Sequence, residues 1–443
     1  MANPTMSKKE YDWNLDEPPP RIKPHSIAKQ KVYTEYIKEY IHTLNSNPLI
    51  PNFNIVIVDA FAGGGEYLTQ DNQRHNGSPI KIIETVKATE KTINETRKKQ
   101  FTIKQQYFFL EKKKANLDYL KNHLKNLEYD KFFDTEIVLQ QGEFEKEYKN
   151  IIKQIQQKYN ENVRAIFILD QYGYTDAPFS VIRDIFRRLP KSEIILTMAV
   201  DHLIDYIRDP EQTIDKHPEL FDNQKQEEIK VKEGVQFQKT LKDKLDLDLR
   251  ELSDIKKTER AWRGIIENLL MEKLQLFSNA KFYTPFFLSA ENSHRDMWLV
   301  HLSNHSQARN VMTQVHWRVA NHDKTKMNHY GMLGFHGKYE GADQLFNIED
   351  FSFDQRSKEK MKVKHMEEIP QFLHNKPTAF GDFYNQVANN TPADKEIFKG
   401  YMKELLQHKE LKIVGKEGEI RRSDIKDSDI IQIPPQMNLF KPR

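Results

Sequence analysis

Cysteine is absent from all 443 residues, and that one absence removes several chemistries together. The chain can form no disulfide, no Cys-ligated zinc site, no iron–sulfur cluster and no thiol nucleophile. Long apolar runs are also missing: nothing approaches the ~18 residues that a membrane-crossing helix needs. The N-terminal stretch carries an early charge cluster but no hydrophobic segment, so it does not read as a secretory signal. The expectation is a cytoplasmic protein with no membrane partner. An excess of one charge is lacking too. With 68 basic and 65 acidic residues the net charge is +3, so any nucleic-acid footprint must be local. What is present supports folding: 38% hydrophobic and 11% aromatic residues, in a chain long enough for two to three domains.

Glycine is scarce as well, at 16 residues, yet three stand side by side in IVIVDAFAGGGEYL (55–68). Three glycines in a row are entropically costly inside a regular element. They make sense where backbone turns with φ > 0 or passes close to something bulky. A tight structural turn is the plain reading; a ligand cradle is the functional one.

The surroundings bear on that choice. Residues 1–24 read as an irregular arm ending in the stiff DEPPPRIKP. From His25, the residues Ile27, Val32, Tyr36, Ile37, Tyr40 and Ile41 recur at helical spacing, predicting an amphipathic helix before the first strand. Strands are predicted at 54–58, 106–111, 136–143, from 165, and at 192–200, alternating with helices. Ser78 is the expected N-cap of the helix after the glycines, with Pro79 in its first turn. Strands apolar on both faces, alternating with helices, predict an α/β fold with a Rossmann-like, mostly parallel sheet covered on both sides. The core spans 25–207, a charged helical insertion follows at 208–280, and an antiparallel hairpin at 281–320 completes the sheet. After a connecting region at 321–377, residues 378–443 read as a winged-helix-like domain whose wing is LKIVGKEGEIR.

In an open α/β sheet, ligands bind beyond the carboxyl ends of the strands. D-A-F-A-G-G-G (59–65) lacks the G-x-G-x-x-G of nicotinamide binders and the GK[ST] of a phosphate loop. It fits the F-x-G-x-G form found in class I S-adenosylmethionine-dependent methyltransferases, which makes Asp59, Phe61, Gly63, Gly64 and Gly65 candidate cofactor residues. The following strands end in register with that reading. Glu111 is placed to accept from ribose hydroxyls, and Gln141, Gly142 and Glu143 lie where adenine would be contacted. Asp170 closes the fourth strand with Tyr172 and Tyr174 beside it, where an acceptor would be positioned. The long interval from Asp59 to Glu111 requires an extra loop at about 66–77.

These pieces together resemble the three-Cys-motif partner protein family, which has a methyltransferase-like fold. The resemblance rests on H-S-I-A-K (25–29), D-A-F-A-G-G-G-E-Y (59–67), G-S-P-I (77–80), F-F-L-E (108–111), Q-G-E (141–143) and D-Q-Y-G (170–173). It implies S-adenosyl-L-methionine as cofactor, a partner protein resembling the radical S-adenosylmethionine proteins with a three-cysteine cluster, and a role for His25 and Lys29 near the site. Gln171 departs from the family's D-P-Y-G and gives up proline rigidity, which weakens the case for amine methylation in particular. Nucleic acid, or a target associated with it, is the expected acceptor. The alternative is a catalytically inactive protein of the same fold that docks a partner or nucleic acid.

Two other constellations are weaker. His301 and His305 stand four apart in a histidine-rich stretch (294–336) that also holds His316, but polar surface histidines are the expected reading and no metal site is assigned. The second helix of the C-terminal domain interleaves Lys395, Lys399 and Lys403 with Glu396 and Glu404, so protein docking and nucleic-acid binding are equally open there.

Overall fold

The computed structural model describes residues 11–159, 163–171, 177–198, 269–270, 273–289, 296–322, 353–374, 376–421 and 423–434. Its strands are β1 (Asn52–Asp59), β2 (Glu66–Leu68), β3 (Arg74–Asn76), β4 (Thr102–Glu111), β5 (Ile137–Gln141), β6 (Arg164–Leu169), β7 (Ser192–Met198), β8 (Phe282–Ser289) and β9 (Asp296–Ser303). Seven of them form one sheet in the order β5-β4-β1-β6-β7-β9-β8. The first five of that order are parallel, whereas β9 pairs antiparallel with both β7 and β8. β1 is the point where the order reverses, with β4 on one side and β6 on the other. The crevice beyond its carboxyl end is where such a sheet receives a ligand.

The strand sequences explain the layering. Along β1, Ile55 and Ile57 enter one apolar cluster while Val56 and Val58 enter the other, all fully buried. A strand buried on both faces must be covered on both. One cover consists of α1 (Pro24–Leu44), α2 (Ser78–Thr96) and α3 (Lys114–Asn126); the other is α4 (Phe144–Tyr159) and α5 (Phe179–Arg188). After β9, α6 (Ser306–His322) joins α1 on the first face. This is a Rossmann-like, methyltransferase-like fold.

Beyond it lie α7 (Gln355–Phe372), β10 (Thr378–Ala379), α8 (Phe380–Val387), α9 (Lys395–Gln407), β11 (Lys412–Val414) and β12 (Ile430–Gln432). The three strands form a small sheet in the order β10-β12-β11. Met361 and Ile369 of α7 share a buried core with Phe383, Phe398, Met402 and Ile431. The C-terminal unit therefore includes α7, which the boundary expected at 378 had left in the connecting region. The wing's return strand is only a single bridge, Val414 to Ile420; the longer pairing of β11 is with β12. Arg309 on α6, 1% exposed, joins the two units by donating to Tyr384 Oη at 2.9 Å and Ala393 O at 2.7 Å.

Other expectations need correction. Ser78 is the first residue of α2, not its N-cap; Gly77 holds that position. The Gly77 N–H is tied to Gly65 O at 2.8 Å, the helix starts one residue earlier, and the Ser78 hydroxyl hydrogen-bonds the Asp59 carboxyl at the end of β1. Ile27 is 40% exposed rather than part of the buried stripe of α1. His301 and His316 are not surface residues but are each 1% exposed. His301 Nε2 lies 3.0 Å from buried Glu193, and His316 stacks on Phe286 at 3.9 Å between ring centroids. The extra loop expected at 66–77 is the β2–β3 hairpin. The expected insertion at 208–280 lies, up to residue 268, outside the described residues.

Candidate functional site

The glycine turn leaves β1 with Gly63 at φ 60° and Gly65 at φ 75°, a conformation that a Cβ disfavours. Each glycine also faces a neighbour. A Cβ on Gly63 would lie 2.9 Å from Trp13 Cη2, one on Gly64 would collide with the indole of Trp13, and one on Gly65 would lie 2.5 Å from Leu120 Cδ1. The bulky object on the outer side of this turn is thus a side chain of the N-terminal arm. Trp13 is 3% exposed and donates from Nε1 to Glu66 O at 2.6 Å. Its ring packs against Tyr11 and Tyr67. Nothing in the sequence reading singled out Trp13; a lone tryptophan in a polar, proline-ended arm was the available signal.

The strand-end acids do converge on this turn. Glu111 Oε2 accepts from the Gly63 N–H at 3.0 Å, while Oε1 accepts from the Lys113 N–H at 2.8 Å and from Asn116 Nδ2 at 3.3 Å. Asp59 is fully buried, and its Oδ1 accepts from the Phe61 N–H at 3.2 Å. Burial pushes the Asp59 carboxyl up to about 7; the Ser78 hydroxyl and Phe61 N–H oppose that, and the charges of Asp170 and Glu111 add to it. Asp170 follows the end of β6 and accepts from Lys29 Nζ at 2.5 Å. The Lys29 side chain is 7% exposed and that of Asp170 30%. Tyr33, one turn further along α1, has its hydroxyl driven upward by burial, then by Asp59 and Asp170. Tyr67 responds in the same way to burial, Tyr11, Asp170 and Asp59. Three carboxylates and two phenols therefore lie within interaction range of one another, and among the described residues the buried ammonium paired with them is that of Lys29.

Lys29 reaches Asp170 from α1. Gln30, next to it, pairs through Oε1 with His75 Nε2 at 2.8 Å on β3, so α1 and the hairpin close one side of the crevice together. Gln171 is 1% exposed, and its Oε1 accepts from the Ala177 N–H at 3.0 Å. This bond spans the loop that a proline would otherwise stiffen. Tyr172 and Tyr174 lie outside the described residues.

The proposed adenine side differs in character. Gln141 ends β5 and is exposed, and the Gly142 N–H donates to Glu111 O at 3.1 Å. Glu143 sits in the open between Lys112 at 2.8 Å and Lys146 at 2.5 Å, whose hydrogen bonds and charges hold its carboxyl down to about 2. Phe61 packs on Phe144, with ring centroids 6.4 Å apart.

Residues 338–418 match the family model of the GMT-like wHTH domain. The C-terminal unit is a winged helix-turn-helix domain. Among solved structures, the O-methyltransferase TomG from Streptomyces achromogenes, involved in tomaymycin synthesis and in complex with SAM, is similar at 10% identity and a TM-score of 0.27. That similarity covers 64% of this chain and 91% of that one. A loganic acid methyltransferase with SAH is similar at 12% identity and a TM-score of 0.22, over 64% of this chain and 98% of that one. The sheet order β5-β4-β1-β6-β7-β9-β8 and its two helical covers define the fold. No curated protein matches the chain. Among the described residues no helix is long and apolar enough to cross a membrane, and no three metal-ligating side chains gather.

The pocket's charge pattern is the test of whether it suits S-adenosylmethionine. Asp59, Glu111 and Asp170 gather near one lysine, and Asp59 is raised toward neutrality by its burial first and by the charges of Asp170 and Glu111 after that. A ligand carrying an ammonium and a sulfonium relieves that crowding, and so the residues present fit such a cation. An anionic dinucleotide would instead meet repulsion.

Proposed function

We propose that this protein is an S-adenosylmethionine-dependent methyltransferase acting on nucleic acid or a target associated with it. The observation that carries the reading is the meeting of Asp59, Glu111 and Asp170 around a positive-φ glycine turn at the strand ends of a methyltransferase-like sheet. When bound, the cofactor supplies an electrophilic methyl group on a sulfonium. Gly63 to Gly65 and Phe61 would shape the pocket for its methionine end. Glu111 would accept from the ribose hydroxyls, and Gln141, Gly142 and Glu143 would border the adenine. Asp170, fixed in direction by Lys29, would accept a hydrogen bond from the acceptor, with Tyr172 and Tyr174 beside it. Orientation of this kind supplies much of the rate in a transfer whose chemistry belongs to the cofactor. The winged helix-turn-helix domain supports a nucleic-acid target, because that architecture presents a helix to a groove. The partner drawn from the resemblance, a three-Cys radical-SAM-like protein, belongs to the same proposal; co-purification after co-expression tests it.

One observation favours the alternative, an inactive docking protein of the same fold. Glu111 already receives three protein donors, leaving it less capacity for a ribose. Calorimetry and thermal shift with S-adenosylmethionine and S-adenosylhomocysteine separate the two. Binding to the native state alone raises stability by about 2.7 kcal/mol at a hundredfold excess over Kd. The proposal expects wild type to shift with both ligands; absence of any heat or shift in wild type leaves the docking reading.

A further inference from the structure

On the sheet face away from α1, a groove of about 550 Å³ runs between α4 and α5 to Asn279 and Asn304. None of the candidate cofactor or acceptor residues lines it. Its walls carry Lys149, Arg183, Arg187 and Arg188 against the single carboxylate of Asp184. Four cations and one acid leave this one surface at a net +3, equal to the net charge of the whole chain. A balanced protein that concentrates its entire excess charge in one groove has a local basic footprint.

The cations are arranged as well as gathered. Asp184 is 14% exposed and accepts from Arg187 and, at 2.7 Å, from Arg188 Nε. Partial burial alone would raise that carboxyl; the two guanidinium hydrogen bonds outweigh it and hold the carboxyl below its usual range. One shared carboxylate thus orients two planar forks, which leaves donors facing outward, while Lys149 and Arg183 form no ion pair with any described residue. Planar guanidinium forks suit phosphate oxygens. The far end of the groove also meets the C-terminal domain. Asn304 Oδ1 accepts from the Lys281 N–H at 3.2 Å, and Lys281 O accepts at 2.9 Å from Asn389 Nδ2, in the turn between α8 and α9. A chain of phosphates lying on the helix-turn-helix would therefore find this groove continuous with it.

We infer that the groove between α4 and α5 binds the phosphates of a nucleic-acid backbone that also contacts the winged helix-turn-helix domain. The inference does not rest on methyl transfer, and the cofactor experiment above can fail without touching it. The test uses the full chain and a fluorescein-labelled 20-base-pair DNA duplex, with a single-stranded RNA of the same length as a second probe. Anisotropy is followed from low to moderate salt for wild type, for Lys149→Glu/Arg183→Glu, and for Lys399→Glu/Lys403→Glu on α9. Removing two phosphate contacts lowers the slope of log K against log salt by about two, since each contact contributes roughly 0.9. The expected result is a loss of tenfold or more, with a shallower slope, in both double variants, each with an unchanged melting curve. An effect seen with only one of the two probes supports the site and names the nucleic acid. Inorganic pyrophosphate or ATP competing at micromolar concentration would reassign the groove to a small phosphate ligand and overturn the backbone reading. Affinity that drops only in the α9 variant, or no binding of either probe to wild type, overturns the inference, while the methyltransferase reading stands or falls on its own measurement.

Discussion

Lys29 Nζ lies 2.5 Å from Asp170 Oδ1, joining the helix that precedes the sheet to the residue that follows its fourth parallel strand. The lysine is nearly buried and its partner about a third exposed, so the pair has more than surface value but less than that of a fully buried ion pair. Lys29→Met is expected to cost about 1–3 kcal/mol, because an acid near Asp59 and Glu111 loses the ammonium that, among the described residues, pairs with it. Asp170→Asn in the same chain should recover part of that loss. A double-mutant cycle in urea measures the coupling; additive single effects would mean that the contact holds nothing in place.

The outer side of the glycine turn belongs to Trp13, which leads to a rescue test. Gly64→Ala drives a Cβ into the indole and should destabilise by about 1–3 kcal/mol. Trp13→Ala alone exposes the turn and costs about 3–5 kcal/mol as a large buried side chain. In the double variant the Gly64→Ala penalty should largely vanish, since its collision partner is gone. Equal penalties in both backgrounds would show that the backbone, not Trp13, requires glycine there.

Asp59 supplies a pH dependence with a definite sign. Its folded value of about 7 stands above the ordinary 3.8 of an aspartate, so the native state favours the protonated form. The associated penalty is absent below about pH 4, grows between pH 4 and 7, and is complete above 7. Asp59→Asn should therefore match wild type in acid and exceed it near pH 8 by on the order of 4 kcal/mol, from a rise of about three units at about 1.4 kcal/mol each. Chemical denaturation at pH 4.5, 6 and 8 checks this. A cationic ligand in the pocket should release a proton from Asp59, visible as buffer-dependent binding heat near pH 7.

His365, in the core of the C-terminal domain, has the opposite slope. Its Nδ1 lies 2.7 Å from Met361 O and its Nε2 2.9 Å from Thr391 Oγ1. Burial pushes the imidazole down to about 4 from 6.5, so its stability is present above pH 6.5 and is lost as pH falls toward 4. Hydrogen exchange should show α7 and α9 opening first on acidification. His365→Gln should lower stability at pH 7 but flatten that acid limb; an unchanged limb would assign it to other groups.

Arg309 carries the junction between the two units. Arg309→Met removes its bonds to Tyr384, Ala393 and Thr391 and leaves buried acceptors unpaired, each costing about 1–3 kcal/mol. Calorimetry should show the C-terminal domain melting earlier than in wild type. A single unshifted transition would place the junction's strength elsewhere.

The sequence by itself determined the alternation that makes this a parallel sheet. Ile55 to Val58, Phe108 to Leu110 and Ile194 to Leu196 are apolar without alternation, and only a strand covered on both faces can bury such a run. It also determined which strands end in acids, because the apolar runs stop at Asp59, Glu111 and Asp170. What it could not carry was anything set by contacts across long separations. Trp13 meets the glycine turn some fifty residues away, and Lys29 meets Asp170 at a separation of 141; neither leaves a periodic trace. The histidines followed the same rule: His301 is polar in any sequence window, yet tertiary packing buries it against Glu193, where a hydrogen bond offsets the cost of removing both from water. α7 joined the C-terminal domain for a similar reason, since Met361 and Ile369 show their partners only once the helices are packed. Local periodicity is written in the chain, but the identity of the side chain across the gap is decided by the fold.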